Sequence, residues 1–297
     1  MGKRRKVQQA SDSVRFAAAL IVLLMIVAIV GIALYRAQHP AASTQIATTS
    51  STSLLSENGI VFAGLPVAAP DVGPVEVLPN LAYISGYSDS RKDPLWVAYH
   101  VIHVDRPFHL ERPKGNFLTD PRTSARVTHD DFTGSGFDRG HMAPNSAIAH
   151  CFGEEAQHQT FLLSNICPQS SVLNQKVWEA LEKEELVYAD NPAGPGDVFI
   201  IDGPIFADLN GGPTRKLPAG IAVPTAFYKI LIEPPAAARP EPRVFAVIMP
   251  QTVKATQLPA QFLASIAQIE KETHLTFLPN LPPEEQSRLK QKTWAMW

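Results

Sequence analysis

The chain has 297 residues, enough for one large domain or two small ones. Its 45% hydrophobic and 18% charged residues exclude a disordered protein, 26 Pro and 17 Gly without a triplet period exclude a collagen-like one, and two Cys exclude a disulfide-dense or multi-cysteine zinc module. Six of the 26 Lys/Arg but one of the 28 Asp/Glu lie within residues 1–36, leaving 20 basic against 27 acidic residues beyond, a net of −7, so any binding of nucleic acid must come from a local site.

Phe16–Tyr35 is a run of 20 uncharged residues. At roughly 1.5 Å per residue it spans about 30 Å, the hydrocarbon thickness of a bilayer. Lys3, Arg4, Arg5, Lys6 and Arg15 precede it, so the positive-inside rule keeps the N-terminus cytoplasmic. The expected order is a basic tail (1–15), a transmembrane anchor (16–35), a flexible Ala/Ser/Thr-rich linker (36–58) and an exported domain (59–297). That domain would face the periplasm, the extracellular side or a mitochondrial intermembrane space. A cleaved signal peptide is the alternative, although its apolar region is normally only about 7–15 residues long.

Within the domain, Leu95–His103, Val198–Asp202, Ile221–Glu233 and Arg243–Met249 are rich in β-branched and aromatic residues and predict strands. Val172–Glu185 predicts a helix, with Leu173, Val177 and Leu181 four apart. Leu258–His274 predicts another, opened by Pro259 and striped with Phe262, Leu263, Ile266 and Ile269. Strands and helices do not alternate regularly. A largely antiparallel α+β domain therefore fits better than a doubly wound parallel sheet.

Two segments concentrate polar chemistry. Asp131–Asn145 reads DFTGSGFDRGHMAPN, in which Gly140 allows a tight turn beside His141. A neutral imidazole on such a loop or strand end can take a proton from water near pH 7. Arg139 can pair with Asp138 or hold a phosphate bidentately. In the predicted helix, Asn174, Trp178 and Glu182 lie four apart and share a face. A carboxamide and a carboxylate so placed suit a hard cation such as Mg²⁺.

Together these segments resemble the sugar-nonspecific DNA/RNA endonuclease family. Asp138-Arg139-Gly140-His141 with Met142-Ala143-Pro144 is followed by Leu163-Ser164-Asn165, Pro168-Gln169, Leu173-Asn174-Gln175, Trp178 and Leu181-Glu182. Gly203-Pro204-Ile205-Phe206, Phe227-Tyr228-Lys229 and Phe277-Leu278-Pro279-Asn280 extend the likeness to roughly residues 75–285. The resemblance implies a central antiparallel sheet flanked by helices, with a ββα-metal finger holding the active site. It implies His141 as general base and Asn174 as the protein ligand of Mg²⁺, with Mn²⁺ or another divalent cation as substitutes. Arg139, Glu182 and Asn165 match supporting residues. Arg112, Lys114 and Arg122 are the candidates for an upstream phosphate contact. The implied reaction is hydrolysis of internal phosphodiester bonds in DNA and RNA, leaving 5′-phosphate and 3′-hydroxyl ends. A homodimer is implied as well. Leu186 stands where some members carry an arginine, so the alternative is a nuclease-like module that binds nucleic acid or a protein partner.

Cys151 and Cys167 flank the active-site segment. In an exported domain they can form a disulfide worth about 3 kcal/mol, or pack as two buried thiols. Neither CxxC nor HxxxH spacing supports a zinc site with His150 and His158.

Overall fold

The domain is built on strands too apolar to leave either face in water. The computed structural model describes residues 59–191, 194–236, 239 and 241–293. The basic tail, the apolar run 16–35 and the linker 36–58 lie outside the described residues. Among the described residues no helix is long and apolar enough to cross a membrane.

The strands are β1 (Val67–Ala68), β2 (Glu76–Pro79), β3 (Tyr83–Ser88), β4 (Asp93–Ile102), β5 (Asp138–His141), β6 (Ile166–Gln169), β7 (Asp197–Ile205), β8 (Ala226–Glu233), β9 (Arg243–Pro250) and β10 (Leu275–Thr276). The helices are α1 (Asn145–Phe152), α2 (Glu154–Gln159), α3 (Glu179–Asp190), α4 (Ile266–Thr273) and α5 (Pro283–Gln291). Six strands form one sheet in the order β2-β3-β4-β7-β8-β9, every neighbouring pair antiparallel. β5 and β6 form a separate antiparallel hairpin, and β1 pairs with β10.

Alternation along the strands sends side chains to two cores. On one face Ile84, Ala98, Ile201, Tyr228, Ile230 and Ala246 pack against Ile266 and Ile269 of α4 and Leu289 of α5. On the other, Tyr83, Val97, Tyr99, Ile200, Leu231 and Phe245 pack against Met142, Ile148, Leu173, Trp178 and Leu181. Sandwiching by helices explains why β4, β7, β8 and β9 read as continuous apolar runs rather than as alternating ones. A third cluster, around Val127, Phe132, Leu163, Ile166 and Ile221, supports the hairpin.

The strand predicted over 221–233 starts later, at Ala226, because residues 221–224 form a buried connection with Ala222 N–H donating to Arg91 O. The helix predicted over 258–274 is broken in two. Pro259–Phe262 makes one 3₁₀ turn, Leu263 then bridges Val247, and α4 starts anew at Ile266. Ser265 caps that start, accepting from Gln268 N–H while Gln268 reaches back to the Ser265 amide.

Cys151 and Cys167 are both free and buried, in line with the second of the two readings, packed thiols rather than a bridge. Cys151 Sγ turns to Ile102 O at 3.5 Å, whereas Cys167 faces the Asp93 carboxyl. Burial pushes the Cys151 thiol up to about 11 and so keeps it protonated.

Gly86 on β3 faces Trp96 so closely that an added Cβ would lie 2.0 Å from the indole Cε2. Gly86→Ala should therefore cost about 1–3 kcal/mol. Thermal unfolding should show the melting temperature falling by roughly 2–4 °C per kcal/mol lost.

Candidate active site

The hairpin presents Arg139 and His141 from β5, with Gly140 between them. Gly140 lies in the strand rather than in a turn, and its lack of a side chain makes room for Gln169 of β6. An added Cβ would meet Gln169 Oε1 at 1.9 Å. His141 is 8% exposed, with the rings of Phe117 and Phe161 each 5.3 Å from its own. Its Nε2 is buried without a hydrogen-bond partner. Burial, with the Arg112 charge adding to it, pushes the imidazole down to about 3, so it is neutral at physiological pH.

Asn165 does not reach the cleft. It is fully buried, accepts from Ala143 N–H at 2.9 Å, and donates to Ala143 O and Thr160 O at 3.0 Å each. It thus fixes the backbone that leaves His141. Arg139 does not pair with Asp138. Its guanidinium donates to His129 O at 2.7 Å and Thr133 Oγ1 at 3.0 Å, over the Phe132 ring.

Opposite the hairpin, the predicted helix opens as a π turn over Leu173–Trp178 and continues as α3 to Asp190. Such turns close i→i+5 bonds and recur at functional sites. Trp178 is buried, while Asn174 and Glu182 both line the cleft, so the shared face predicted for all three holds for two. The start of the turn is anchored by Gln251, which accepts from Ser170 N–H at 2.7 Å through Oε1 and from Ser170 Oγ at 2.7 Å through its carbonyl.

Asp138 joins hairpin to turn. Its carboxylate accepts from Ser171 Oγ at 2.8 Å, Asn174 Nδ2 at 2.9 Å and Gln175 Nε2 at 2.7 Å. Burial would raise this carboxyl, but the three hydrogen bonds hold it below the usual range. The bond from Asn174 engages its amide nitrogen and so orients its carboxamide.

These groups share one cleft of about 320 Å³. Arg139 and His141 come from the hairpin, Asn174, Gln175, Glu179 and Glu182 from the turn and α3, Asn145 and Ser146 from α1, and Arg112 from the preceding loop. Burial pushes Glu182 up to about 8, with Lys229 opposing it and Glu185 adding to it. The donors across the cleft from His141 are all oxygens, which fits a hard divalent cation.

Of the three upstream basic residues, the structure brings only Arg112 to this cleft, where it lies 5.1 Å over the Phe161 ring. Lys114 lines an adjoining cleft that shares Arg112. Arg122 is committed elsewhere, paired with buried Asp120 at 2.6 Å and donating to Pro79 O at 2.7 Å and Asn80 Oδ1 at 3.0 Å. In the sequence Asp138 stands out only as a partner for Arg139, and the supports from Ser170 and Gln251 carry no sequence signal; their partners are up to 83 residues away.

The sequence profile described as DNA/RNA non-specific endonuclease matches residues 70–284. Human mitochondrial endonuclease G is 33% identical over 225 residues, spanning 69% of this chain and 72% of that protein. Nuclease C1 of Cunninghamella echinulata var. echinulata is 30% identical over 219 residues, spanning 69% and 84%. In fold, a chain from the crystal structure of an EndoG/EndoGI complex matches with a TM-score of 0.65 at 23% identity, covering 77% of this chain and 94% of that one.

The two arginines should separate cleanly in a cleavage assay run beside thermal melts. Arg112→Ala is expected to cut activity about tenfold or more at unchanged melting temperature, by losing a charged phosphate contact worth about 1.5–3 kcal/mol. Arg122→Ala should instead lower the melting temperature, because it strands buried Asp120. The reverse pattern would contradict the assignment.

Proposed function

The chain belongs to the DNA/RNA non-specific endonuclease family, and on that premise we propose that the cleft hydrolyses internal phosphodiester bonds with His141 as general base and Asn174 as the ligand of a divalent cation. The observation that carries this reading is the meeting of a neutral, ring-clamped imidazole and an oriented carboxamide oxygen in one cleft.

Each residue has a task that its surroundings suit. A phosphodiester entering the cleft brings negative charge toward Arg139 and Arg112, which hold it electrostatically. That same anion favours a positive His141 and so raises its proton affinity, opposing burial and Arg112. His141 then takes a proton from the attacking water while Phe117 and Phe161 hold its ring plane. Asn174, with Glu182 and Glu179 beside it, would hold the cation, Mg²⁺ or Mn²⁺. When bound, that ion supplies Lewis-acid stabilisation of charge on the phosphate and the leaving oxygen. With the leaving oxygen on the 3′ side, the ends are a 5′-phosphate and a 3′-hydroxyl. These contacts address phosphate rather than base edges, so little sequence preference is expected, on DNA or RNA. The acidic domain predicts steep salt dependence.

The location follows from residues 16–35. Their 20 uncharged residues behind a basic tail support an anchor with the catalytic domain exported. Full-length protein should then pellet with membranes and resist alkaline extraction; release into the supernatant would sink the anchor.

The enzyme reading is tested by nicking of supercoiled plasmid and degradation of total RNA. Both should require a divalent cation, stop with chelator, and be lost in His141→Ala. No cleavage by folded wild-type protein across a salt series would leave only a binding module. The pH dependence has a definite sign. Glu182 is mostly neutral below about 8 and attracts a cation only when charged. The Mg²⁺ concentration for half-maximal cleavage should therefore fall as pH rises from 6 to 8, by up to about tenfold per unit.

A further inference from the structure

Lys229 is fully buried in the middle of β8. The register puts it in one cross-strand row with Ser85, Val97, Asp202 and Val247. Phe227 and Leu231, two residues to either side, pack in the core that also holds Leu173 and Trp178, so alternation aims Lys229 at the underside of the cleft. Its ammonium lies 2.8 Å from Tyr99 Oη and 3.2 Å from both Glu185 Oε2 and Asp202 Oδ2. It also lies 4.6 Å from the centre of the Trp178 ring. Tyr99 closes the network by donating to Glu185 Oε1 at 2.8 Å. Burial works against the charge, but Glu185 and Asp202 outweigh it and lift the lysine above its usual range.

For stability alone, apolar side chains of similar volume usually serve as well as a buried ion cluster. What this cluster adds is direction. Trp178 is four residues from Asn174 and four from Glu182, and Glu185 lies about one turn past Glu182. The ammonium thus grips the turn and α3 while Tyr99 and Asp202 tie it to β4 and β7. The π turn gripped in this way is a rare geometry, found mostly as single turns and often at functional sites.

We propose that Lys229 is a positioning residue of the nuclease site, fixing the turn 173–178 and α3 against the sheet so that Asn174 and Glu182 meet the cation in the right geometry. The proposal rests on the reading of the cleft given above. Lys229 acts through Trp178, Glu185 and Tyr99 and touches neither substrate nor cation.

The test is direct Mn²⁺ binding by the purified full chain without nucleic acid, followed by the paramagnetic resonance of free Mn²⁺. Wild type is compared with Asn174→Ala, Tyr99→Phe and the triple variant K229M/E185Q/D202N. The triple variant keeps side-chain volume and leaves no buried unpaired charge. With a wild-type circular dichroism spectrum it should bind Mn²⁺ about 10–100-fold more weakly. Tyr99→Phe, which loses hydrogen bonds to Lys229 and Glu185, should bind about two- to tenfold more weakly. KM for plasmid at saturating Mn²⁺ should stay within about twofold, since no substrate contact is touched. Wild-type affinity in the folded triple variant, or in Tyr99→Phe if the triple does not fold, would overturn the proposal. A wild type that binds no Mn²⁺, or Asn174→Ala binding it as tightly as wild type, would instead sink the reading of the cleft.

Discussion

Asp138 accepts hydrogen bonds from Ser171, Asn174 and Gln175, three side chains of the element facing its own hairpin. Hairpin and turn cannot part without leaving a carboxylate short of partners at the edge of the cleft, where water only partly replaces them. This clamp also sets the orientation of the Asn174 carboxamide, because its amide nitrogen is engaged by Asp138. His141 sits three residues along the same strand. One short hairpin therefore sets both the spacing of the two chemical groups and the orientation of one of them.

Around that clamp the cleft separates charge by burial. His141 is pressed between Phe117 and Phe161 and stays neutral, while Glu182 holds its proton until a compensating charge arrives. The cleft thus carries less charge than its residue types suggest. His141 and Glu182 are each biased toward the state that an incoming anion or cation would oppose. Positive charge is supplied by Arg112 and Arg139, both stacked over phenylalanine rings. This local arrangement reconciles a domain of net negative charge with a polyanionic substrate.

Much of this was legible in the sequence where local pattern and tertiary environment agree. The strands of the sheet centre are apolar on both faces and stand out as runs. β3 does not, because Ser85, Gly86 and Ser88 interrupt it, and Gly86 is there only to admit Trp96. The stripe over 258–274 is real, since Ile266 and Ile269 are buried, but Ser265 and Gln268 carried a capping signal that marks the break. The motif residues His141, Arg139, Asn174 and Glu182 do share one cleft. The choice among Arg112, Lys114 and Arg122 was not legible, because it depends on Asp120 and the β2–β3 connection capturing Arg122. Nor was the role of Asp138, whose partners lie 36 residues downstream or nearby in the fold.

With Asp138 holding its amide nitrogen, the Asn174 carboxamide oxygen in the cleft of His141 is the proposed place for a divalent cation. Anomalous diffraction from crystals soaked in Mn²⁺ tests it most directly. A single strong peak beside Asn174 Oδ1 is expected, with His141 outside its coordination sphere. A peak ligated by His141, or one located away from Asn174, would contradict it.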